Sequence, residues 1–248
     1  MRLEGKSAIV TGGASGFGAG IAQKFLSEGA RVMIADINGD AARDMVTALG
    51  ANAIPQQVDV SDAASVQSMA NVAAEVFGPL DILVNNAGVT HVPTPLEDVS
   101  EDDFDRVFAV NMKSVYLTAR AFIPQMKAQG SGAVLNVAST AGLSPRPNLN
   151  WYNASKGWMI TATKTMAVEL APSGVRVNAI CPVAGETPLL KSFMGEDTPE
   201  IRAKFLSTIP LGRFSTPEDM ANAACFLCSD EASMITGTAL EVDGGRCI

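Results

Sequence analysis

The sequence predicts a single doubly wound α/β domain, with a seven-stranded parallel sheet and helices on both of its faces. Short apolar, β-branched runs alternate along the whole chain with longer segments of helical periodicity. The runs are apolar throughout instead of alternating with polar residues, as expected of strands buried on both faces of a parallel sheet. With 248 residues, of which 47% are hydrophobic, the chain can bury one large core.

The predicted elements follow one another as strand and helix, and no repeat or linker interrupts them. The predicted strands are Ser7–Thr11, Arg31–Ala35, Ile54–Asp59, Ile82–Asn86, Val134–Ser139, Val175–Cys181 and, as the final strand, Ala239–Val242. The predicted helices are Gly16–Glu28, Asp40–Leu49, Ala63–Phe77, Glu101–Gln129, Trp151–Ala171 and Pro217–Ser229.

Two segments break this alternation. In Val89–Val99, Pro93 and Pro95 exclude a regular element. About 35 residues then separate Cys181 from the helix near Pro217, and long excursions in compact domains are usually binding loops or lids. Because this excursion leaves the carboxyl end of a core strand, we expect residues 186–209 to form a substrate lid rather than a solvated insertion.

The composition argues against several classes of function. The formal net charge of −8 disfavours nucleic acid or an anionic membrane as a partner. No apolar run reaches the length of a membrane span and Met1–Gly5 is not a signal peptide, so we expect a cytoplasmic location. Cys225 and Cys228 form a C-x-x-C in an apolar helical pattern, without a second Cys or His pair to complete a zinc site. We expect buried thiols there and no metal.

A glycine-rich loop, Thr11–Gly18, joins the first strand to the first helix. Gly12 can make the tight turn, Gly16 lets the backbone approach a pyrophosphate, and Gly18 permits close packing of helix and strand. The free N–H groups at the start of the helix then face the phosphates. This placement favours a dinucleotide site over an ordinary loop.

Asp36, at the end of the second strand, indicates which dinucleotide binds. A carboxylate there accepts hydrogen bonds from the ribose hydroxyls of adenosine and repels a 2′-phosphate. The following Ile37–Asp40 offers no Arg or Lys to pair with such a phosphate. The sequence therefore favours NAD over NADP.

Tyr152 and Lys156 are four residues apart and share one face of a predicted helix. An unperturbed tyrosine has a pKa of about 10, and an adjacent ammonium group would favour the phenolate. Ser139, at the end of a buried strand, could hydrogen-bond the oxygen that Tyr152 protonates or deprotonates. Taken alone the pair is more often a solvated helix contact, so its assignment depends on the rest of the chain.

These motifs occur in the order of the classical short-chain dehydrogenase/reductase family, which the chain resembles over essentially its whole length. Thr-Gly-x-x-x-Gly-x-Gly is residues 11–18, Asn-Asn-Ala-Gly is residues 85–88, and Tyr-x-x-x-Lys is residues 152–156. The family's helix asparagine is Asn111 and its serine is Ser139. The resemblance implies an NAD-dependent oxidoreductase with a Rossmann-type fold.

The resemblance also implies roles for individual residues. Tyr152 would exchange the proton of the substrate oxygen, and Ser139 would position that oxygen. Lys156 would bind the nicotinamide ribose and lower the pKa of the phenol, and Asn111 would hold a water that links Lys156 to solvent. The implied cofactor-binding residues are Gly12, Ser15, Gly16, Phe17, Gly18, Asp36, Asp59, Val60, Asn86, Ala87, Gly88, Tyr152, Lys156, Pro182, Gly185 and Thr187.

One segment departs from the family pattern. Family members usually read Pro-Gly-x-Val/Ile-x-Thr after the sixth strand, whereas this chain has Val183 for the glycine and Gly185 for the branched residue. Thr187 keeps its spacing, so we expect the cofactor contact to persist along a different loop path.

The substrate pocket is expected between residues 140–148, the loop after Asn-Asn-Ala-Gly and the excursion. Arg146 would either bind a substrate carboxylate or phosphate or lie on the surface, and the sequence favours neither. His91, the only histidine, is expected at the rim or on the surface. The other candidates are Leu143, Asn148, Trp151, Leu189 and Phe193.

Three functions compete. The preferred one is a dehydrogenase of a secondary alcohol, such as a polyol, sugar-type alcohol or small hydroxy compound. The second is a 3-oxoacyl-thioester reductase. Carrier-protein users in the family tend to be basic where this chain has Ala128–Ser131 and Pro172–Gly174. The third, a non-catalytic NAD-binding relative, would have lost a catalytic residue, and none is lost. The resemblance further implies a homotetramer or homodimer built through helices Glu101–Gln129 and Trp151–Ala171.

Overall fold

A computed structural model describes residues 1–248 and contains one seven-stranded sheet in the order β3-β2-β1-β4-β5-β6-β7. Every pair of neighbouring strands is parallel, which confirms the predicted fold class. The strands are β1 (Ser7–Thr11), β2 (Arg31–Asp36), β3 (Ala53–Gln57), β4 (Ile82–Asn85), β5 (Gly132–Val137), β6 (Val175–Pro182) and β7 (Ala239–Val242).

The helices agree with the prediction except in two places. The predicted helix Glu101–Gln129 is interrupted by a π-helical turn at Ala109–Lys113, and the excursion after β6 contains two short helices that are not among the predicted helices. The helices are α1 (Gly16–Ser27), α2 (Gly39–Leu49), α3 (Ala63–Phe77), α4 (Glu101–Phe108), α5 (Ser114–Gln129), α6 (Asn150–Leu170), α7 (Leu190–Met194), α8 (Pro199–Leu206) and α9 (Pro217–Cys228). None of them is both long and apolar enough to cross a membrane.

The apolar strands divide their side chains between two cores. In β1, Ala8 and Val10 join the core under α1 and α9, whereas Ile9 joins the core under α3 and α5 on the opposite face. Because successive side chains of a strand point to opposite faces, both faces of the sheet must be covered. On the first face α1 lies very close to α9, since a Cβ at Gly20 would be 2.6 Å from Pro217 Cβ.

A buried hydrogen-bond network joins the centre of the sheet to α5 and α6. The Asn85 amide donates to Asn136 Oδ1 at 2.9 Å and accepts from the Thr118 hydroxyl at 2.8 Å. The Asn136 amide in turn donates to Thr163 Oγ1 at 2.8 Å. Since every one of these buried groups is paired, the network fixes the two helices relative to β4 and β5.

The chain reverses its winding between β1 and β4, because β2 lies on one side of β1 and β4 lies on the other. In doubly wound folds, ligands bind outside the carboxyl ends of the strands at this switch point. The excursion after β6 lies near this edge and has a small apolar cluster of its own, formed by Val183, Leu190, Met194, Ile209 and Phe214.

Candidate active site

A cavity of about 460 Å³ lies at the carboxyl edge of the sheet and receives residues that end or follow each of β1 to β6. Its size suits a small organic ligand. Of the predicted site residues, only Gly18 and Asn111 do not line it. Those that do are Gly12, Ser15, Gly16, Phe17, Asp36, Asp59, Val60, Asn86, Ala87, Gly88, Ser139, Tyr152, Lys156, Pro182, Gly185 and Thr187.

The glycine loop has the shape of a phosphate cradle. Gly12 and Gly16 have φ angles of 61° and 52°, and a Cβ at Gly12 would be 2.9 Å from Ala87 Cα. Ser15 is the N-cap of α1 but its side chain does not cap the helix. The first N–H groups of α1 are therefore left for another acceptor, and a pyrophosphate fits this site. Gly18 packs against the backbone, since its Cβ would be 2.1 Å from Gly12 O.

Asn86 holds the cradle to the end of β4. Its amide donates to Thr11 O at 2.9 Å and to Gly12 O at 3.0 Å. The Thr11 hydroxyl accepts from the Asn86 N–H at 3.1 Å. The two asparagines of the Asn-Asn-Ala-Gly motif thus have different roles: Asn85 belongs to the buried network, and Asn86 fixes the glycine loop.

Asp36 lies in the cavity wall at the end of β2. Its carboxylate accepts from the Ala14 N–H and from the Asn38 N–H, both at 3.0 Å. The only cations that line the cavity, Arg146 and Lys156, are supplied by later segments of the chain. This end of the cavity therefore presents a fixed negative charge with no cation to accept a 2′-phosphate.

Tyr152 and Lys156 are both buried in the cavity wall, as the Tyr-x-x-x-Lys spacing on α6 predicts. The Lys156 ammonium donates to Val137 O at 2.8 Å and lies 5.8 Å from the centre of the Tyr152 ring. Ser139 follows β5, and its hydroxyl accepts from the Ala141 N–H at 3.1 Å. The structure therefore brings three of the four predicted catalytic side chains to one end of the cavity.

Burial opposes the lowering of the Tyr152 pKa that is expected from Lys156. Burial raises the pKa of Tyr152 to about 12, against the opposing effects of the Ser139 hydroxyl and the Arg146 charge. Burial also lowers the pKa of Lys156 to about 8. Desolvation is thus the largest influence on the pKa of each group, and the phenol is neutral.

Asn111 is fully buried in the π-helical turn between α4 and α5 and does not line the cavity. Its amide donates to Val89 O at 2.9 Å and to Ser155 Oγ at 3.0 Å, and its Oδ1 accepts from the Val89 N–H. It thus ties the loop after β4 to α6, next to Lys156. Such π-helical turns occur frequently at functional sites.

The structure explains why the segment after β6 departs from the family pattern at Gly185. A Cβ at Gly185 would lie 2.3 Å from the ring of Phe17 and 2.7 Å from Ser215 Oγ. Glu186 N–H donates to Ser215 O at 2.9 Å, which fixes the path of the loop beside residues 214–216. The large side chain at 17 therefore occupies the space that a branched residue at 185 would need.

The substrate-pocket candidates separate into two groups. Arg146, Leu189 and Phe193 line the cavity, and the Phe193 ring contacts the Tyr152 ring edge-on with centroids 5.0 Å apart. Leu143, Asn148 and Trp151 do not line it. The prediction for His91 is wrong, because this side chain is 1% exposed and its Nδ1 lies 2.8 Å from Val92 O.

Sequence reasoning missed several lining residues. Asn153, inside the Tyr-x-x-x-Lys motif, donates from its amide to Arg146 O at 2.7 Å. Phe205 reaches the cavity from α8. The sequence alone does not predict this, because the position of Phe205 depends on how the excursion after β6 folds back over the cavity. The remaining apolar ones include Leu149 and Pro188.

The cysteines of α9 are buried and unpaired, as predicted. Elsewhere, side-chain atoms of Glu241, Asp243 and Cys247 lie within 4.8 Å of one another. The Asp243 oxygens already accept from the Gly245 and Cys247 N–H groups.

Comparisons with known proteins agree with this geometry. A family model described as enoyl-(acyl carrier protein) reductase matches residues 12–246. The chain is 51% identical to the 4-formylbenzenesulfonate dehydrogenase of Comamonas testosteroni, with 100% of both chains covered. It is 40% identical to the D-threitol dehydrogenase of Mycolicibacterium smegmatis, covering 100% of this chain and 95% of the relative.

One solved structure is similar to this chain in both sequence and fold. It is a 3-ketoacyl-(acyl-carrier-protein) reductase from Brucella melitensis complexed with NADH, 49% identical, with a TM-score of 0.95. The match covers 99% of this chain and 100% of that one.

Proposed function

This chain belongs to the classical short-chain dehydrogenase/reductase family and is an oxidoreductase, and from that premise we propose an NAD-dependent alcohol dehydrogenase with Tyr152 as its acid and base. It would move a hydride between the nicotinamide and the carbon of a secondary alcohol or ketone, including polyols and sugar-type alcohols. Residues 1–248 would form one catalytic domain, with residues 186–209 as its lid.

One observation carries this proposal. Tyr152, Ser139 and Lys156 line the same cavity as the glycine loop and Asp36, so one ligand can extend from the cradle to the phenol. A bound nicotinamide would supply the hydride chemistry. The glycine loop would hold the pyrophosphate, and Asp36 the adenosine ribose.

The protein's own groups would handle the proton. In reduction, the neutral Tyr152 phenol donates its proton to the carbonyl oxygen, and in oxidation it takes the proton of the hydroxyl. Ser139 would hydrogen-bond the same oxygen and hold it beside the phenol. Lys156 would bind the ribose and place a positive charge near the phenol, which stabilises the phenolate left after proton transfer. Asn111 would hold the water that connects Lys156 to solvent.

NAD is favoured over NADP because the Asp36 carboxylate faces the adenosine end of the cavity, where no cation lines the wall. The similar Brucella melitensis reductase forms a complex with NADH, in agreement with this choice. We expect kcat/KM to be higher with NAD than with NADP by at least about tenfold. Equal rates with both cofactors would contradict the assignment of Asp36.

The alternative is a 3-oxoacyl-thioester reductase, an activity named for the structural neighbour. A carrier protein is acidic, and this chain has a formal net charge of −8 with no basic residue in Ala128–Ser131 or Pro172–Gly174. Docking of an acidic carrier is therefore disfavoured. A panel of alcohols, polyols, hydroxy acids and acyl thioesters, assayed with both nicotinamide cofactors, distinguishes the two functions.

The central test is Tyr152→Phe. This change removes the only proton-transferring oxygen of the side chain and keeps the ring that packs against Phe193. We expect turnover to fall by at least about 1,000-fold while NADH still binds, as measured by the quenching of tryptophan fluorescence. Unchanged turnover would refute the role of Tyr152, and lost NADH binding would show that the variant damaged the site.

Assembly and location are also part of the proposal. We expect a homotetramer or homodimer, since exposed apolar side chains lie on α5 and α6. The cytoplasmic location expected from the sequence stays a prediction, and fractionation of the source cells tests it.

A further inference from the structure

Arg146 is the one arginine of the chain whose guanidinium has no partner. Each of the other arginine side chains donates a hydrogen bond to a carboxylate, a carbonyl or a hydroxyl. The Arg146 side chain has neither a hydrogen bond nor an ion pair, although it is only partly exposed and lines the cavity. Five N–H donors in a fixed plane are thus available inside a substrate pocket.

The surroundings hold this guanidinium in place without neutralising it. Its central carbon lies 4.4 Å from the centre of the Phe205 ring, a stacking contact that leaves the N–H groups at the edge of the plane free. The Arg146 backbone carbonyl accepts from the buried Asn153 amide at 2.7 Å, which anchors the loop to α6. An arginine that is stacked and anchored in this way is pre-organised for a planar anion.

The nearby charges also favour an anion. Burial lowers the pKa of Arg146, and the second-largest cause is the positive charge of Arg246. Arg246 donates to Ser144 Oγ at 3.3 Å, and its Nε is buried without a partner. No carboxylate contributes to the environment of Arg146. The positive charge of Arg246 therefore repels that of Arg146, and an anion bound at Arg146 would reduce this cost.

The position of Arg146 relative to the phenol identifies which end of the substrate carries the anion. Arg146 and Tyr152 both line the cavity, and the Arg146 charge acts on the Tyr152 hydroxyl within it. Phe193 and Phe205 are both aromatic parts of the wall, and Leu149 adds an apolar side chain. A flat apolar body would pack on these rings, with its carbonyl or carbinol carbon at Tyr152 and its anionic group at Arg146.

We propose that Arg146 binds a carboxylate or sulfonate of the substrate, and that the preferred substrates are aromatic alcohols and carbonyl compounds with such a group at the far end. This rests on the proposed dehydrogenase function, and it narrows that function from alcohols in general to anionic aromatic ones. The lid would then select substrates by charge, since α8 supplies the ring on which Arg146 lies.

Three aldehydes test the proposal by reduction with NADH: 4-formylbenzoate, 4-formylbenzenesulfonate and the neutral methyl 4-formylbenzoate. We expect the wild type to prefer at least one anionic probe over the neutral one by about tenfold or more in kcat/KM. Arg146→Met should lower kcat/KM for the anionic probes by about tenfold more than for the neutral ester, so that the preference is lost. Arg146→Lys, which keeps the charge but not the planar fork, should retain part of it. The ratio between the two anionic probes distinguishes a carboxylate site from a sulfonate site.

The matched control is Arg202→Met, because the Arg202 guanidinium also lies over an aromatic ring, that of Phe214, but is paired with Asp197 and does not line the cavity. It should leave the preference unchanged. A wild type without preference, or an Arg146→Met variant that weakens neutral and anionic probes equally, would overturn the proposal.

A binding measurement separates this proposal from the dehydrogenase function. Calorimetric titration of the enzyme saturated with NADH with benzoate should show binding that weakens about tenfold in Arg146→Met. If no aldehyde is reduced but benzoate binding still depends on Arg146, the anion site stands and the proposed function fails. If benzoate binding is the same in both proteins, the anion site is refuted whatever the turnover.

Discussion

Burial shifts the pKa values of Tyr152 and Lys156, the two central residues of the candidate site, in opposite directions. It raises the pKa of Tyr152 to about 12, so the phenol keeps its proton at neutral pH and is ready to act as an acid. It lowers the pKa of Lys156 to about 8, so the ammonium can lose its proton within the working range of an enzyme. The Lys156 charge, which we propose assists proton transfer, is therefore more sensitive to pH than the protonation of Tyr152.

This difference predicts the pH dependence of carbonyl reduction. Below about pH 8, Lys156 is charged and Tyr152 is protonated, so kcat/KM should be constant. As the pH rises through about 8, Lys156 loses its charge while Tyr152 keeps its proton, and kcat/KM should fall. The measurement is kcat/KM between about pH 6 and pH 10 with saturating NADH, since its profile reports the groups that titrate before the ketone binds. A profile that stays flat to pH 10 would contradict the pKa of Lys156.

A stability measurement independently checks that the pKa of Lys156 is lowered in the folded protein. The folded-state pKa of Lys156 lies below its ordinary value of 10.5, so folding with a charged lysine is costly below pH 8 and this cost disappears as the pH rises to 10.5. Removing the ammonium with Lys156→Met should therefore raise the Tm relative to the wild type more at pH 7 than at pH 10. The opposite trend would show that the ammonium stabilises the fold.

At the scale of elements, the loop after β6 and the glycine loop after β1 are matched to each other. Phe17 belongs to the first turn of α1, and its ring lies where a side chain at Gly185 would be. The isolated bridge between Gly185 and Ser215 fixes the backbone there, so this loop cannot easily move away. The Phe17 ring and a side chain at position 185 would thus compete for the same space beside the expected nicotinamide.

Gly185→Val should therefore impair cofactor binding. The new side chain would overlap the Phe17 ring, and relief of such overpacking typically costs about 1–3 kcal/mol. We expect the Kd for NADH to rise by about tenfold, as measured by fluorescence titration. The double variant Phe17→Ile, Gly185→Val should recover most of this loss, because the smaller side chain at 17 frees the space.

The matched control for this pair is Gly157→Ala on α6. A Cβ at that position would come no closer than 3.7 Å to Gly142 O, so NADH binding should not change. If the double variant binds NADH no better than Gly185→Val alone, the coupling between the two loops is refuted.

The sequence predicted those elements whose signals are local. Uniformly apolar runs gave the strands within a few residues, and glycine spacing gave the cradle, because both depend on neighbours along the chain. The π-helical turn at Ala109–Lys113 was missed because no glycine or proline marks it. The burial of His91 and the effect of burial on the Tyr152 pKa were also missed, since desolvation depends on which distant segments cover a side chain.

At the scale of the whole molecule, two helices that cover the sheet leave large apolar side chains on their outer faces. Tyr116 of α5 is 52% exposed, and Val168 of α6 is 79% exposed. The two helices also border a shallow groove whose walls include Ile123 and Met166. Exposed apolar side chains on two helices that border one groove are typical of surfaces where subunits meet.

Assembly through α5 and α6 leads to the last prediction. A closed dimer places the same face of two subunits together, and a tetramer repeats this through a second face. We expect sedimentation velocity to give a mass of at least two 25.8 kDa subunits at micromolar concentration. Tyr116→Glu combined with Val168→Glu should lower that mass, because it places carboxylates of both subunits against each other in an apolar contact. Leu96→Glu, which adds one carboxylate at an exposed apolar side chain outside the two helices, should leave the mass unchanged. A wild-type monomer would refute the assembly, and an unchanged mass in the double variant would place the contact on another face of the molecule.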